Sequence, residues 1–291
     1  MLADLDAAHP RCLLARSIGT RLGEGLRERG RLTDEAMHRT LGAVRAHERA
    51  IRGRAERTFA IATSAMRRAE NGAEFARDVE AIVGSRLHVL RGEEEAVASY
   101  RGAIAEVEVA PGATVGVVDT GGGSTEYAVG VGTIPGRVAS CEIGAVRLTE
   151  ICPGLNGISG VVDAETVERA RSVARALLTP LGALPLVDRL VLVGGSATTA
   201  AAVLRGDRRP FVTADLDRDR VEHILCLLLG MPLDQRKALP GMNPQRADIL
   251  PAGLIVLGEV LSLTGQTHAA VTSSDLLLGY LMIRAEADPS S

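Results

Sequence analysis

The stretch VGVVDTGGGSTEYAVG, residues 115–130, constrains this chain more than any other. An apolar run, Val115, Gly116, Val117 and Val118, reads as a buried strand and ends in the carboxylate of Asp119. After Thr120 come Gly121, Gly122 and Gly123, then Ser124, Thr125 and Glu126, and an apolar stretch resumes at Tyr127. The spacing predicts a strand, a tight turn and a second strand. Glycine lets the backbone approach a ligand without a Cβ and adopt positive φ. Successive N–H groups in such a turn form a concavity that accepts an anion. Asp119, at the strand end, is placed to hold a metal ion or orient a water. An acid before the glycines and Ser-Thr-Glu after them favour a phosphate-and-metal loop over a plain hairpin turn.

The bulk properties narrow the ligand. A length of 291 residues allows one large domain or two smaller ones. Aromatic residues make up 2% and Trp is absent, which leaves Leu, Val, Ile and Ala to build the core and argues against base-stacking nucleic-acid modules. The net charge of −3 supplies no global field for a polyanion, so such a ligand needs a local basic site or a metal. Cys12, Cys141, Cys152 and Cys226 form no C-x-x-C pair. They read as small buried thiols in a reducing cytoplasm, not as a zinc site or a disulfide framework. No apolar run is long enough to span a membrane, and the N-terminus lacks the pattern of a signal peptide, so a cytoplasmic protein is expected. Residues 287–291 read as a frayed tail.

Strands and helices alternate along the chain, which argues for α/β architecture with mixed sheets. Strand-like runs lie at 11–18, 58–62, 87–90, 115–118, 127–131, 138–143, 190–193 and 269–272. A loop is expected over 20–31. Thr33 reads as the N-cap of a helix to about Ile51, and Thr63 to Arg67 as a turn. Asn71 reads as the cap of a helix over 73–83. Further helices are expected from 93, and over 144–151, 164–178, 217–229, 246–263 and 275–285, with one after Gly194. Pro111-Gly112 is the expected domain boundary. It divides the chain into an N-terminal α/β domain, 1–110, and a C-terminal one, 111–291, with the last helix, 275–286, packing back on the first.

Four clusters could carry chemistry. The first is the loop from Asp119 to Glu126. The second is Gly194-Gly195-Ser196-Ala197-Thr198-Thr199, where glycines and hydroxyls open a helix whose free N–H groups suit an anion. In the third, Thr63 and Ser64 follow a strand, with Arg67 placed to hold phosphate oxygens. The fourth is Glu93-Glu94-Glu95 at a helix start. One of these could serve as general base for an attacking water, but acids also suit a first helical turn, and the residues alone do not choose among the three. The histidines show no metal-ligand spacing, and the arginines of 39–57 read as a wet face with interleaved glutamates.

Taken together and in order, TRLGEGL (20–26), GRLTDEA (30–36), ATSAMRRAEN (62–71), RGEEEA (91–96), VVDTGGGSTE (117–126), IGAVRLTE (143–150), VGGSATTAA (193–201), PGMNPQRADILPAG (240–253) and SSDLLLGYL (273–281) resemble the exopolyphosphatase/guanosine pentaphosphate phosphohydrolase family. The resemblance implies the two-domain actin-like/sugar-kinase-like ATPase fold, related to ribonuclease H. It implies removal of terminal phosphate from inorganic polyphosphate, or of the 5′ γ-phosphate from guanosine pentaphosphate, with Mg²⁺, and it suggests a homodimer. No DNA, RNA or membrane partner is implied. By matching position, Glu95 is the general base and Asp119 the metal-associated carboxylate. Thr63, Ser64, Arg67, Gly121, Gly122, Gly123, Ser124, Gly195, Ser196 and Thr198 meet phosphate, and Glu126 supports them. One departure stands out. Family members open with a strand and a loop of the type Asp-x-Gly-[Ser/Thr]-Asn-Ser, and neither is found ahead of Leu2-Ala3-Asp4-Leu5. The expectation is therefore an incomplete first domain with an uncovered sheet edge. A misplaced start is the favoured reading, and a polyphosphate- or nucleotide-binding protein without turnover is the alternative. A sugar kinase of the same fold fits less well, because nothing beyond the phosphate loops suggests a sugar site.

Overall fold

The computed structural model describes residues 1–5, 10–183 and 185–287. The tail expected at 287–291 lies outside the described residues from 288 on, as does His9. The chain forms two compact units, Met1–Glu95 and Ala96–Ser291. This division falls inside a continuous helix, ahead of the Pro111-Gly112 turn.

The first unit contains β1 (Leu2–Asp4), β2 (Arg11–Leu14), α1 (Leu26–Arg29), α2 (Asp34–Ile51), β3 (Ala60–Ala62), α3 (Ser64–Arg68), α4 (Gly72–Val83), β4 (Leu87–Val89) and the start of α5 (Gly92–Ile104). β1 pairs antiparallel with β2, and β3 parallel with β4, so each strand has one unpaired edge among the described residues. Leu26, Leu32, Leu41, Met66, Phe75, Val79 and Leu87 form its core. Thr33 caps α2 as expected, its hydroxyl accepting from Ala36 N at 3.2 Å. Three expectations change here. The segment after Thr63 is not a turn but the helix α3, and the 20–31 loop contains α1. Asn71 occupies the N-cap position of α4, but its side chain makes no capping bond there. Its side chain accepts from Leu32 N at 2.8 Å and donates to Leu32 O at 3.1 Å, which satisfies a buried backbone segment remote in sequence.

The second unit is built on a six-stranded sheet. Its elements are β5 (Thr114–Thr120), β6 (Thr125–Val131), β7 (Ile134–Cys141), α6 (Ala145–Ile151), α7 (Ala164–Leu178), β8 (Arg189–Val193), α8 (Gly195–Arg205), β9 (Thr213–Asp217), α9 (Arg218–Leu229), α10 (Leu233–Lys237), α11 (Leu250–Leu263), β10 (His268–Thr272) and α12 (Leu276–Ala287). The strand order is β7-β6-β5-β8-β10-β9. β5, β6 and β7 form an antiparallel meander, β8 and β10 run parallel to β5, and β9 runs antiparallel to β10. β9 is absent from the sequence reading, because its polar Thr-Ala-Asp-Leu-Asp run becomes a strand only against β10. α11 starts at Leu250, later than expected, after a turn through Arg246.

Side chains alternate across this sheet with period two. On one face Val118, Tyr127, Leu190 and Leu192 join the core around α11, which is buried from Leu250 to Leu261 and packs on α6, α7, α8 and α9. A helix apolar on every side belongs in such a centre. On the other face Val115, Val117, Ala128, Val191 and Val193 pack with Ala96, Tyr100 and Ala103 of α5. α12 lies against α5 where Gly102 meets the backbone at Asp275, and Gly279 the backbone at Ala98. Cys141 and Cys152 are buried thiols, as read from the sequence, but Cys12 and Cys226 are exposed. Among the described residues no helix is long and apolar enough to cross a membrane.

Candidate active site

The alternation that places Val115 and Val117 against α5 places Asp119 on the same face, at the end of β5. There Ser99, buried on α5, donates to Asp119 Oδ2 at 2.6 Å. Glu126 stands directly opposite Asp119 in the β5–β6 register and accepts from Ser140 at 2.9 Å. Two like charges facing across a pair disfavour each other unless something intervenes.

The glycine loop joining β5 to β6 is held by its carbonyls. Gly121 N donates to Ser124 O at 3.0 Å, Gly121 O accepts from Ala145 N, and Gly122 O accepts from Val146 N and Arg147 N, all at the start of α6. The N–H groups of Gly122, Gly123 and Ser124 donate to no described residue. With the carbonyls turned to α6, those donors are left without a protein acceptor, which is what an anion-accepting concavity requires. The glycines do not serve through positive φ, which none of the three adopts. Close approach matters instead: a Cβ on Gly144 would meet Gly121 O and Gly122 C and O within 2.7 Å.

The second loop does need positive φ. Gly194, at φ +87°, sits between β8 and α8, and a Cβ there would lie 2.7 Å from Asp119 Oδ1 and 2.8 Å from Thr120 O. Gly194 therefore permits the N-terminus of α8 to close on Asp119. The hydroxyls behind it face inward. Thr198 Oγ1 donates to Gly194 O at 3.0 Å, and Ser196 Oγ is buried against Gly253 of α11 with no partner among the described residues. What this loop offers an anion is the first-turn N–H groups of α8.

Sequence reasoning missed three residues here: Ser99, Arg246 and Asp275. The Arg246 guanidinium lies against Gly195, where any Cβ would displace it. Burial pulls its pKa down and Asp119 opposes that pull. Burial raises the Asp119 carboxyl to about 6, with the Ser99 hydrogen bond lowering it, Asp275 raising it and Arg246 lowering it. Asp275, ahead of α12, is itself raised, first by burial. Faint signals existed. Ser99 follows Glu95 by one helical turn, Arg246 is the cation before the apolar α11, and Asp275 precedes the last helix.

In the first unit, burial separates the three glutamates. Glu94 accepts from Arg91 N at 2.8 Å and caps its own helix, which lowers its pKa. Glu93 is exposed and Glu95 is buried. Glu95 is paired with Arg67. Thr63 O accepts from Met66 N and Arg67 N at the start of α3, and Ser64 Oγ is buried without a partner among the described residues.

Among the described residues no three His, Cys, Asp or Glu side chains form a metal cluster. The Asp275 carboxylate adds to the cost of ionising Asp119, an arrangement a cation relieves. This fits Mg²⁺, which is bound through one or two carboxylates with water and substrate phosphate supplying the rest.

The model of the Ppx/GppA phosphatase family matches residues 1–276. The chain belongs to this family. It is 35% identical over 277 residues to Exopolyphosphatase 2 of Mycobacterium tuberculosis, covering 89% of this chain and 85% of that protein. The crystal structure of the Aquifex aeolicus Ppx/GppA family member superposes with a TM-score of 0.79 at 28% identity, over 99% of this chain and 94% of that one. An exopolyphosphatase from Cytophaga hutchinsonii, 22% identical, shares the fold with a TM-score of 0.85 over 98% of this chain and 93% of that one. The family thus has the actin-like ATPase fold expected from the motifs, and its member here is a phosphatase.

Proposed function

We propose that this phosphatase releases terminal phosphate from inorganic polyphosphate by attack of water, with Mg²⁺ as cofactor. The observation that carries the reading is that Asp119 adjoins two glycine loops with backbone N–H groups that have no acceptor among the described residues. The Gly121–Ser124 loop follows the strand that carries Asp119 at its end, Gly194 at the start of α8 closes on Asp119 Oδ1, and Arg246 interacts with the same carboxylate. Such fixed donors stabilise charge that develops on a phosphoryl group without reorganising. The relative at 35% identity is an exopolyphosphatase, which supports the same substrate.

In this mechanism the loop N–H groups bind the phosphate oxygens, and Arg246 adds a positive charge that Asp119 keeps in place. Asp119 and Asp275 are the residues that would hold Mg²⁺, which supplies charge neutralisation on the transferred group. Ser99 fixes the orientation of Asp119 through Oδ2. Glu95 is the general base and takes the proton of the attacking water.

The test is Mg²⁺-dependent phosphate release from long-chain polyphosphate, with guanosine pentaphosphate as a competing substrate. Glu95→Gln is expected to lower kcat about 100- to 10,000-fold, the usual contribution of general base catalysis. Release that persists in Glu95→Gln refutes the role of Glu95. A folded wild-type protein that binds polyphosphate and releases nothing refutes turnover and leaves a binding protein. Preference for guanosine pentaphosphate in competition reassigns the substrate.

A further inference from the structure

The parallel β3–β4 pair sets two strand-to-helix turns side by side. Ala60, Ile61 and Ala62 lie opposite Leu87, His88 and Val89, and Leu90 N donates to Ala62 O at 2.9 Å. β3 runs into α3 and β4 into α5, so Arg67 and Glu95 leave neighbouring turns at the same strand end. There Arg67 Nη1 donates to Leu90 O at 2.7 Å and also to Glu95 Oε1.

A guanidinium Nη carries two hydrogens. Both hydrogens of this nitrogen are therefore committed to the protein. One is bound to the backbone of the turn that leads to Glu95, the other to the Glu95 carboxylate itself. The Leu90 carbonyl fixes the guanidinium in place, and the guanidinium fixes one carboxylate oxygen. The Glu95 side chain is 7% exposed and that of Arg67 19%. Burying a charged group is costly unless it is paired and hydrogen-bonded, and Arg67 provides both. Its second oxygen, Oε2, accepts no hydrogen bond from a described residue.

One oxygen held and one open is the arrangement a general base needs. The held oxygen sets the direction of the open one, and misplacement by about an ångström is enough to cost on the order of 100-fold in rate. The family resemblance assigns Arg67 to phosphate, a contact that Nη2 or Nε would have to make, because both hydrogens of Nη1 are committed to Leu90 and Glu95.

We propose that Arg67 is the positioning residue of the base: it clamps Glu95 through Oε1 and leaves Oε2 to take the proton. Its effect on turnover passes through Glu95. This rests on the reading of Glu95 as general base. It predicts that removing Arg67 matters only while Glu95 can act, whereas a phosphate ligand matters in either background.

The experiment is a double-mutant cycle of Arg67→Met, Glu95→Gln and the two combined. Initial rates are followed with radiolabelled polyphosphate, so that the residual activity of Glu95→Gln is readable, and folding is monitored by circular dichroism. Arg67→Met is expected to lower kcat about 10- to 100-fold with KM changed less than about 3-fold, a fraction of the full general-base contribution. In the Glu95→Gln background the same substitution is expected to change kcat by less than about 3-fold, since coupled residues are non-additive. Arg67→Lys, whose ammonium keeps the charge but not the two-way fork, is expected to recover part of kcat. Equal losses in both backgrounds, or a loss carried by KM in both, overturn the proposal. If Arg67→Met alone does not fold, the paired variant removes both charges together, and its comparison with Glu95→Gln and with Arg67→Lys decides the same question. Absence of release by the folded wild type overturns the general-base reading and the clamp with it. Release with additive effects overturns the clamp alone.

Discussion

Asp119 works against the stability of its own unit, and the size of that opposition can be worked out. Burial raises its carboxyl from the ordinary 3.8 to about 6. The folded protein therefore holds the proton more tightly than the unfolded chain does. Below about pH 4 the group is protonated in both states and costs nothing. Between about pH 4 and 6 the unfolded chain gains by ionising first, and the fold loses stability as pH rises. Above pH 6 the loss is complete and constant. A shift from 3.8 to about 6, at about 1.4 kcal/mol for each tenfold step, corresponds to roughly 3 kcal/mol, an upper value because the surface of Asp119 is only partly buried. Asp119→Asn removes the ionisation and keeps an oxygen for the Ser99 hydroxyl. In chelator it should stabilise the protein by about 1–3 kcal/mol at pH 8 and by almost nothing at pH 4, while abolishing phosphate release. Urea unfolding at the two pH values measures this. The gain at pH 8 should shrink when Mg²⁺ is added, because the cation stabilises only the wild type. A variant equally stable to wild type at both pH values, or less stable at pH 8, would refute the argument that burial of this carboxyl is uncompensated.

Three further perturbations test the scaffold. Gly194→Ala combines a disfavoured φ with a Cβ pressed on Asp119 and Thr120, so it should cost about 1–3 kcal/mol and most of the activity. Gly132→Ala, also at positive φ but with nothing within 4 Å, is the control that should keep activity. Gly279→Ala drives a methyl into Ala98 O where α12 crosses α5, and a lowered urea midpoint equivalent to about 1–3 kcal/mol is expected. Arg236 is fully buried and donates to the carbonyls of Leu228, Met231 and Leu155. Arg236→Met leaves those acceptors unpaired, and calorimetry should show a loss of about 2–4 kcal/mol with the substrate KM unchanged.

Much of this protein can be read from local pattern. The Thr33 cap and the helix to Ile51, the Ala164–Leu178 helix and the β5–β6 hairpin all appear where the sequence places them. Each depends on neighbours within a few residues: a capping hydroxyl, a 3.6-residue apolar period, a glycine turn between two apolar runs. Features that depend on distant partners could not be read this way. Asn71 looks like a cap until Leu32 takes both ends of its amide. Thr213–Asp217 looks like a polar loop until β10 supplies its hydrogen bonds.

The site divides along the same line. The sequence by itself determined that Asp119 ends a strand at a glycine loop, that a second glycine loop opens a helix, and that an acid triplet opens another. Only the tertiary structure decided which glutamate of the triplet is buried, because Glu94 is drawn to Arg91 and Glu95 to Arg67. It also brought Ser99, Arg246 and Asp275 to Asp119. These residues lie far apart in the chain, and no local period links them. The pairing of β5 with β8, and the packing of α5 on the sheet and α12 on α5, set the distances over which their charges and hydrogen bonds act.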